Sequence, residues 1–360
     1  MTPESQLRAG EATARPCTDR SEWDGLVNEL GGHPLQLWGW GEVKAAHHWR
    51  VERLIVDDDG TPLGGAQILY RGLPWPLKSL AYISRGPVCA PEDAARVLDA
   101  VARHLRSTQG SVALVAEPDW DAGSAGERGL EAAGFRRTES TILIPRTLIL
   151  DLQQGEDELM AAMSRTTRAN VRKNLKSRLE FRKVASEAEL EQVLAIYRET
   201  AARAGFGIHE DAYYRDIWRF LGGDSPVVAA FDGDQAVAFV WIAKSAGTAF
   251  ELYGGVTEAG QKARANYGVK WAAFTAMKAE GCARYDLNGL LNDGISDFKK
   301  QFAQHENLLS GTWELPLSPL YPVYSTGMPI ARRALQRGRS LAKTGARQAK
   351  GALRRLRPGA

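Results

Sequence analysis

Residues 226–244 read PVVAAFDGDQAVAFVWIAK: an apolar run, a turn at Asp232–Gly233, and a second apolar run. Asp-Gly between two strand-like runs marks a β-hairpin, because the tight turn needs residues that tolerate positive φ. Residues 51–70, VERLIVDDDGTPLGGAQILY, spell the same hairpin. Each is followed by a short strand, 79–83 (SLAYI) and 249–253 (AFELY), and then by a Gly-containing break, Arg85-Gly86-Pro87 and Gly254-Gly255. Helical spacing of apolar residues comes next in both, over 91–107 and 265–279. A further strand closes each unit, 111–117 (SVALVAE) and 283–288 (ARYDLN). Four pairs of elements recur in one order at a nearly constant offset. The expectation is a duplicated α/β domain, each copy a mixed sheet covered by helices.

The totals suit that reading. The chain has 360 residues, enough for two cores, with 44% hydrophobic and 25% charged side chains. No run approaches the length of a membrane span. The N-terminus, MTPESQLRAGEATARPC, lacks an apolar secretory core, and Cys17, Cys89 and Cys282 are too dispersed for a disulfide framework. The expected compartment is therefore the cytoplasm. The six histidines show no HxxxH or HExxH spacing, so no metal is expected. Net charge is +3, but residues 331–360 hold ten basic side chains and no acid. The remaining 36 basic and 43 acidic residues leave a body of net −7. A cationic tail on an acidic body suggests an anionic partner, either nucleic acid or the cytoplasmic face of an anionic membrane. A solvated, frayed terminus is the plain alternative.

The order of hairpin, strand, break, helix and strand resembles the GNAT-type N-acyltransferase fold. That fold raises an acyl-CoA-dependent acetyltransferase as one reading. Such enzymes cradle a pyrophosphate on a Gln/Arg-x-x-Gly-x-Gly/Ala loop, whose N–H groups face the anion. Neither 258–268 (EAGQKARANYG) nor 87–93 (PVCAPED) fits it, and the acids of the latter would repel a pyrophosphate.

Four strings resemble the Fem family of aminoacyl-tRNA-dependent transferases that build peptidoglycan interpeptide bridges. They are residues 33–44 (HPLQLWGWGEVK), 82–88 (YISRGPV), 252–255 (LYGG), and 286–289 (DLNG) with 297–302 (DFKKQF). The resemblance covers about residues 15–325 and implies two tandem GNAT-like domains, 1–148 and 149–317, with 318–330 as a candidate completion of the first and 331–360 as a basic tail. It implies that Lys299, in the Phe298-Lys299-x-x-Phe302 motif, lies at the reaction centre and stabilises charge on an aminoacyl ester carbonyl. On its own the motif would be an exposed lysine between two buried aromatics. The resemblance further implies substrate-binding roles for Lys44, Tyr82, Arg85, Arg203 and Tyr253, with Lys44 meeting the diphosphate of the acceptor. Without it, Lys44 is a surface lysine, Tyr253 a half-buried strand tyrosine and Arg85 a turn residue.

The sequence departs from the family where an acid normally follows the arginine, since Ala204 stands after Arg203. Many relatives also carry an aspartate near Cys89 and Ala90, so no general base can be named. Residues 164–183 hold eight basic side chains and one acid, with Arg165, Arg168, Arg172 and Lys176 roughly along one helical face and Lys173 beside them. Such a run is ordinarily solvated surface; in a tRNA-dependent enzyme it suits phosphate contact. The expected partners are an aminoacyl-tRNA donor and a lipid-linked or UDP-linked muropeptide acceptor. The donor ester is already activated, so no cofactor is expected. An inactive tRNA- or lipid-binding relative is the third reading.

Overall fold

The computed structural model describes residues 11–327, apart from 109 and 292, so the basic tail lies outside the described residues. The first half runs β1 (Thr13–Pro16), α1 (Arg20–Glu29), α2 (Trp38–Ala46), β2 (Arg50–Asp58), β3 (Thr61–Gly72), β4 (Ser79–Ser84), β5 (Val88–Cys89), α3 (Ala94–Thr108), β6 (Ala113–Glu117), α4 (Ala125–Ala132) and β7 (Arg136–Thr138). The second half begins with β8 (Arg146–Thr147), β9 (Ile149–Asp151), α5 (Glu156–Ala162), α6 (Arg165–Leu175) and β10 (Glu180–Lys183). It continues through α7 (Glu187–Ala204), α8 (Asp211–Leu221), β11 (Val227–Asp232), β12 (Gln235–Lys244), β13 (Thr248–Val256), α9 (Glu258–Ala263) and α10 (Ala265–Ala279). It ends with β14 (Arg284–Asp286), α11 (Gly294–Lys299), β15 (Asn307–Leu308) and β16 (Thr312–Pro316).

The duplicated order is present as two mixed sheets. The first is ordered β1-β2-β3-β4-β6-β16-β7, with β5 also beside β3; the second is β10-β11-β12-β13-β14-β9. In each, an antiparallel hairpin and its neighbour are followed by a helical crossover to a parallel strand: β4 to β6 through α3, and β13 to β14 through α10. Asp59 and Gly60 take positive φ at the first hairpin turn, and Gly233 does so at the second.

One boundary differs from the sequence reading. The strand that completes the first sheet is β16, inside the 149–317 range expected for the second domain. Trp313 and Leu315 of β16 alternate into the first core beside Val97, Val101 and Leu114. Burying that pair draws the chain back from the second domain before residue 317. Residues 323–327 instead form a short helical turn outside both sheets.

The two halves share a core. Leu35, Trp40 and Val43 of the first half pack with Tyr213, Tyr214 and Ile217 of α8 and Trp241 and Phe250 of the second sheet. α2 can lie this close to α8 because residue 39 has no side chain: a Cβ there would meet the Phe220 carbonyl oxygen at 2.5 Å. Among the described residues no helix is long and apolar enough to cross a membrane.

Candidate active site

β13 pairs with β14 only over Thr248–Phe250, and its register against β12 shifts between Trp241 and Ile242. Beyond Phe250 the two strands diverge, and a cavity of about 450 Å³ opens between them, walled by α7, α10 and α11. The cavity brings together Lys299, Arg203 and Tyr253, which are 46 or more residues apart in the chain. Gly255 keeps the wall thin, since a Cβ there would sit 2.7 Å from the Phe239 ring.

Lys299 closes α11. Phe298 and Phe302 pack edge to face beside it, with Tyr267 against Phe298, so the apolar flanks of the motif are core. The ammonium of Lys299 turns the other way and donates to the carbonyls of Asn288 (3.3 Å) and Gly289 (3.1 Å). Asn288 presents its carbonyl by adopting φ +64°, a conformation asparagine tolerates better than most residues. Its side-chain amide donates to the Glu251 carbonyl at 3.0 Å, and its N–H to Asp286 at 2.7 Å. Burial lowers the Lys299 pKa below the ordinary lysine value, and the nearby Lys270 cation pushes the same way against Glu251. The hydrogen bonds of the cation go to neutral carbonyls, while Glu251, Asp286 and Asp293 favour its charge from nearby.

Two cavity residues were not singled out in the sequence. Glu251 and Lys270 are both buried and form an ion pair, with the Tyr285 hydroxyl donating to Glu251 at 3.1 Å. Glu251 is the one carboxylate lining the cavity among the described residues. The signal was present in α10: Lys270 is a charge within the apolar run Val269-Lys270-Trp271-Ala272-Ala273-Phe274, where a solvated lysine has no place.

Tyr253 forms the wall toward the first domain, ringed by Tyr197 and Tyr214 at centroid distances of 5.3 and 5.1 Å. Burial raises its hydroxyl well above the usual tyrosine pKa, and a hydrogen bond to Tyr213 adds to this. Tyr213 in turn accepts from the Lys44 ammonium at 2.7 Å, so Tyr213 and Tyr253 stand between Lys44 and the cavity. Burial lowers the Lys44 pKa from 10.5 to about 8. Arg203, in the last turn of α7, donates to the Val256 carbonyl (2.9 Å) and to Glu199 (3.2 Å).

Tyr82 and Arg85 stand apart from the cavity. The buried Tyr82 donates to Glu117 at 2.6 Å, and Glu117 also takes the N–H groups of Ile142 and Leu143 and the Thr312 hydroxyl. This carboxylate ties the first sheet to the linker. Arg85, at φ +53° and 3% exposed, joins a buried polar cluster with His33, Asp119, Arg284 and Asp286. The ligand atoms of His33, Asp119 and Asp286 lie within 4.8 Å of one another, which raises the question of a metal. The hydrogen bonds answer it. The Leu35 N–H donates to His33 Nδ1 at 3.1 Å, so a neutral imidazole carries its proton on Nε2, the atom that a metal would need. Two guanidiniums already balance the two carboxylates, with Arg284 on Asp119 at 3.1 Å. The donor set fits an interdomain lock and not a cation site.

Of the basic run, Arg165, Arg172, Lys173 and Lys176 are exposed on α6. Arg168 leaves that face and donates to the carbonyls of Ala161 and Met163, satisfying the end of α5. The N-terminus of α6 is tied to the segment after Lys299: Ser164 N–H donates to the Gln301 carbonyl (2.9 Å) and the Thr167 hydroxyl to its side chain (3.2 Å). The turn after β13 offers no pyrophosphate cradle, because Thr257 already caps Gly260 N–H at 3.0 Å and Glu258 stands in the first turn of α9.

Comparison with known proteins bears on the fold. Residues 161–300 match the acetyltransferase (GNAT) domain family. The lipid II:glycine glycyltransferase of Staphylococcus aureus is 29% identical over 215 residues, 56% of this chain and 51% of that protein. The chain thus matches about half the length of these curated relatives. The crystal structure of FemX superposes with a TM-score of 0.78 at 20% identity, over 86% of this chain and 99% of FemX. A tandem GNAT protein from the clavulanic acid biosynthesis pathway superposes at 0.51 and 12% identity, over 86% and 99%. Sequence and fold together show a chain of two GNAT-like domains, with the fold of FemX and a partial sequence similarity to a lipid II:glycine glycyltransferase.

Proposed function

We propose that the protein transfers an amino acid from aminoacyl-tRNA to the stem-peptide amine of a peptidoglycan precursor, lipid-linked or UDP-linked. The observation that carries this reading is the cavity at the strand splay, with Lys299, Arg203 and Tyr253 on its walls. The relative named as a lipid II:glycine glycyltransferase supports the acceptor class.

The chemistry follows from the residues. The ester carbonyl of the donor lies at Lys299, whose cation stabilises the tetrahedral oxyanion. A lysine-type acceptor amine must be neutral to attack, and with a pKa of roughly 10.4 its deprotonation at pH 7 costs about 4.6 kcal/mol. Lys299 and the exclusion of water lower that cost, since both disfavour a second ammonium. Amine attack forms the amide, the ester C–O bond breaks, and the proton lost by the amine leaves with the ribose hydroxyl. Arg203 and Tyr253 orient the acceptor, and Lys44 meets its diphosphate at the domain seam. The exposed cations of α6 hold tRNA phosphates on a helix whose N-terminus is tied to Gln301, two residues from Lys299.

The test is incubation with a set of charged tRNAs and with lipid-linked and UDP-linked precursors, followed by mass spectrometry. A precursor heavier by one amino-acid residue, dependent on charged tRNA, is the expected product. Transfer of an acetyl group from acetyl-CoA instead would overturn the reading.

A further inference from the structure

The segment that follows β14 is tied down at both ends. Leu287 N–H donates to the Leu148 carbonyl at 2.9 Å, and Leu290 N–H to the Arg146 carbonyl at 2.7 Å. Between these ties Asn288 takes φ +64° and has its polar groups bonded throughout. Its N–H donates to Asp286 at 2.7 Å and its side-chain amide to the Glu251 carbonyl at 3.0 Å. Its side-chain oxygen accepts the Gly289 N–H at 2.6 Å. In an extended strand successive residues face opposite ways. The left-handed turn at Asn288 instead brings two successive carbonyls, its own and that of Gly289, to the one ammonium of Lys299. Both Asn288 and Lys299 line the cavity.

Lys299 has stronger partners within electrostatic reach. Glu251 on β13, Asp286 on β14 and Asp293 at the start of α11 favour its charge, and Lys270 on α10 opposes it. An ammonium on a flexible four-carbon stem would ordinarily settle on one of these acids. Each acid is engaged elsewhere. Glu251 is paired with Lys270 and takes the Tyr285 hydroxyl at 3.1 Å. Asp286, fully buried, accepts the Thr147 hydroxyl and the Asn288 N–H. Asp293 caps α11, accepting the Ser296 N–H at 2.8 Å and its hydroxyl at 2.7 Å. The ammonium is left to the two carbonyls that Asn288 turns toward it.

We propose that Asn288 is a positioning residue, whose side chain holds two carbonyls in the orientation that keeps the Lys299 ammonium at the cavity wall. It acts through Lys299 rather than on the substrate. A cation seated on neutral acceptors keeps its charge for a developing oxyanion, whereas one seated on a carboxylate is spent there. The proposal rests on the reading of Lys299 as the oxyanion cation. Its experiment includes a measurement made without substrate, so the two can fail separately.

The experiment compares Asn288→Gly with the wild-type full chain. Glycine adopts positive φ without strain, so the fold and the thermal midpoint should persist while both side-chain bonds are lost. Single-turnover transfer should slow about tenfold or more, with the Kd of each substrate unchanged within about twofold. In the Lys299→Met background the same substitution should change the rate by less than about twofold, because the two residues act as one unit. With no substrate present, carbon-13 NMR of the Lys299 Cε should show the ammonium titrating higher in Asn288→Gly than in wild type. A released side chain reaches water or a free carboxylate lone pair, and both favour its charge. A wild-type rate or an unchanged titration in Asn288→Gly would overturn the proposal. An equal loss of rate in the Lys299→Met background would overturn it too, since Asn288 would then shape the cavity independently of Lys299.

Discussion

The Lys44 ammonium donates to the Tyr213 hydroxyl over 2.7 Å, joining a helix of the first domain to one of the second. Tyr213 bonds to Tyr253, which lines the cavity, so a charge at the seam and the cavity wall share one chain of side chains. Lys44 also lies over the Trp40 and Tyr213 rings, at 4.6 and 5.1 Å. Gly39 makes the arrangement possible by letting α2 approach α8.

Burial of Lys44 sets a pH dependence. The Lys44 pKa is depressed from 10.5 to about 8, so its positive charge is present below about pH 8 and fades above it. The kcat/KM for a diphosphate-bearing precursor should fall about tenfold per pH unit above that point. Lys44→Met should be slower and should lose this limb of the profile. Stability has the opposite sign. A depressed lysine pKa penalises the folded state most below pH 8 and releases the penalty as pH rises toward 10.5. Lys44→Met should therefore raise the thermal midpoint at neutral pH, and more so than at high pH.

The Glu251–Lys270 pair makes a stability prediction. Both side chains are buried, so Glu251→Gln leaves an uncompensated ammonium and should cost about 3–5 kcal/mol in denaturant unfolding. Adding Lys270→Met should recover much of that loss. Recovery in stability without recovery of transfer would assign the carboxylate a part in the chemistry beyond packing.

The contrast between Lys299 and this pair shows what the sequence can convey. Hairpins and crossover helices are local strings, so their periodicity and turn residues identify them directly, whereas the Lys299 motif is singled out by the family resemblance. Glu251 and Lys270 meet only when β13 and α10 pack, and neither residue alone distinguishes a buried ion pair from a surface charge. β16 was misplaced for the same reason: its partner, β6, lies almost 200 residues earlier, and short alternating strands read alike wherever they pair. Tyr82 and Arg85 sit in a recognisable string, yet their hydrogen bonds run to Glu117 and the Ile144 carbonyl, which only the folded sheet brings near.

The basic helix makes a salt-dependence prediction. Arg165, Arg172 and Lys176 are exposed, so replacing all three with Ala should weaken tRNA binding and lower the logarithmic salt slope by about 2–3 units. Precursor affinity should not change. Arg168→Ala should lower the thermal midpoint while leaving the slope nearly intact, because its guanidinium is spent on the Ala161 and Met163 carbonyls. Filter binding across a salt series separates the two.

Single-turnover transfer by Lys299→Met tests the central claim most directly. Methionine matches the length of the lysine stem and keeps the Phe298–Phe302 packing, so the fold and precursor binding should persist. Removing the cation proposed to face the ester carbonyl should slow transfer on the order of 100-fold or more. A rate within a few-fold of wild type, with both substrates bound normally, would contradict the assignment of Lys299 to the oxyanion.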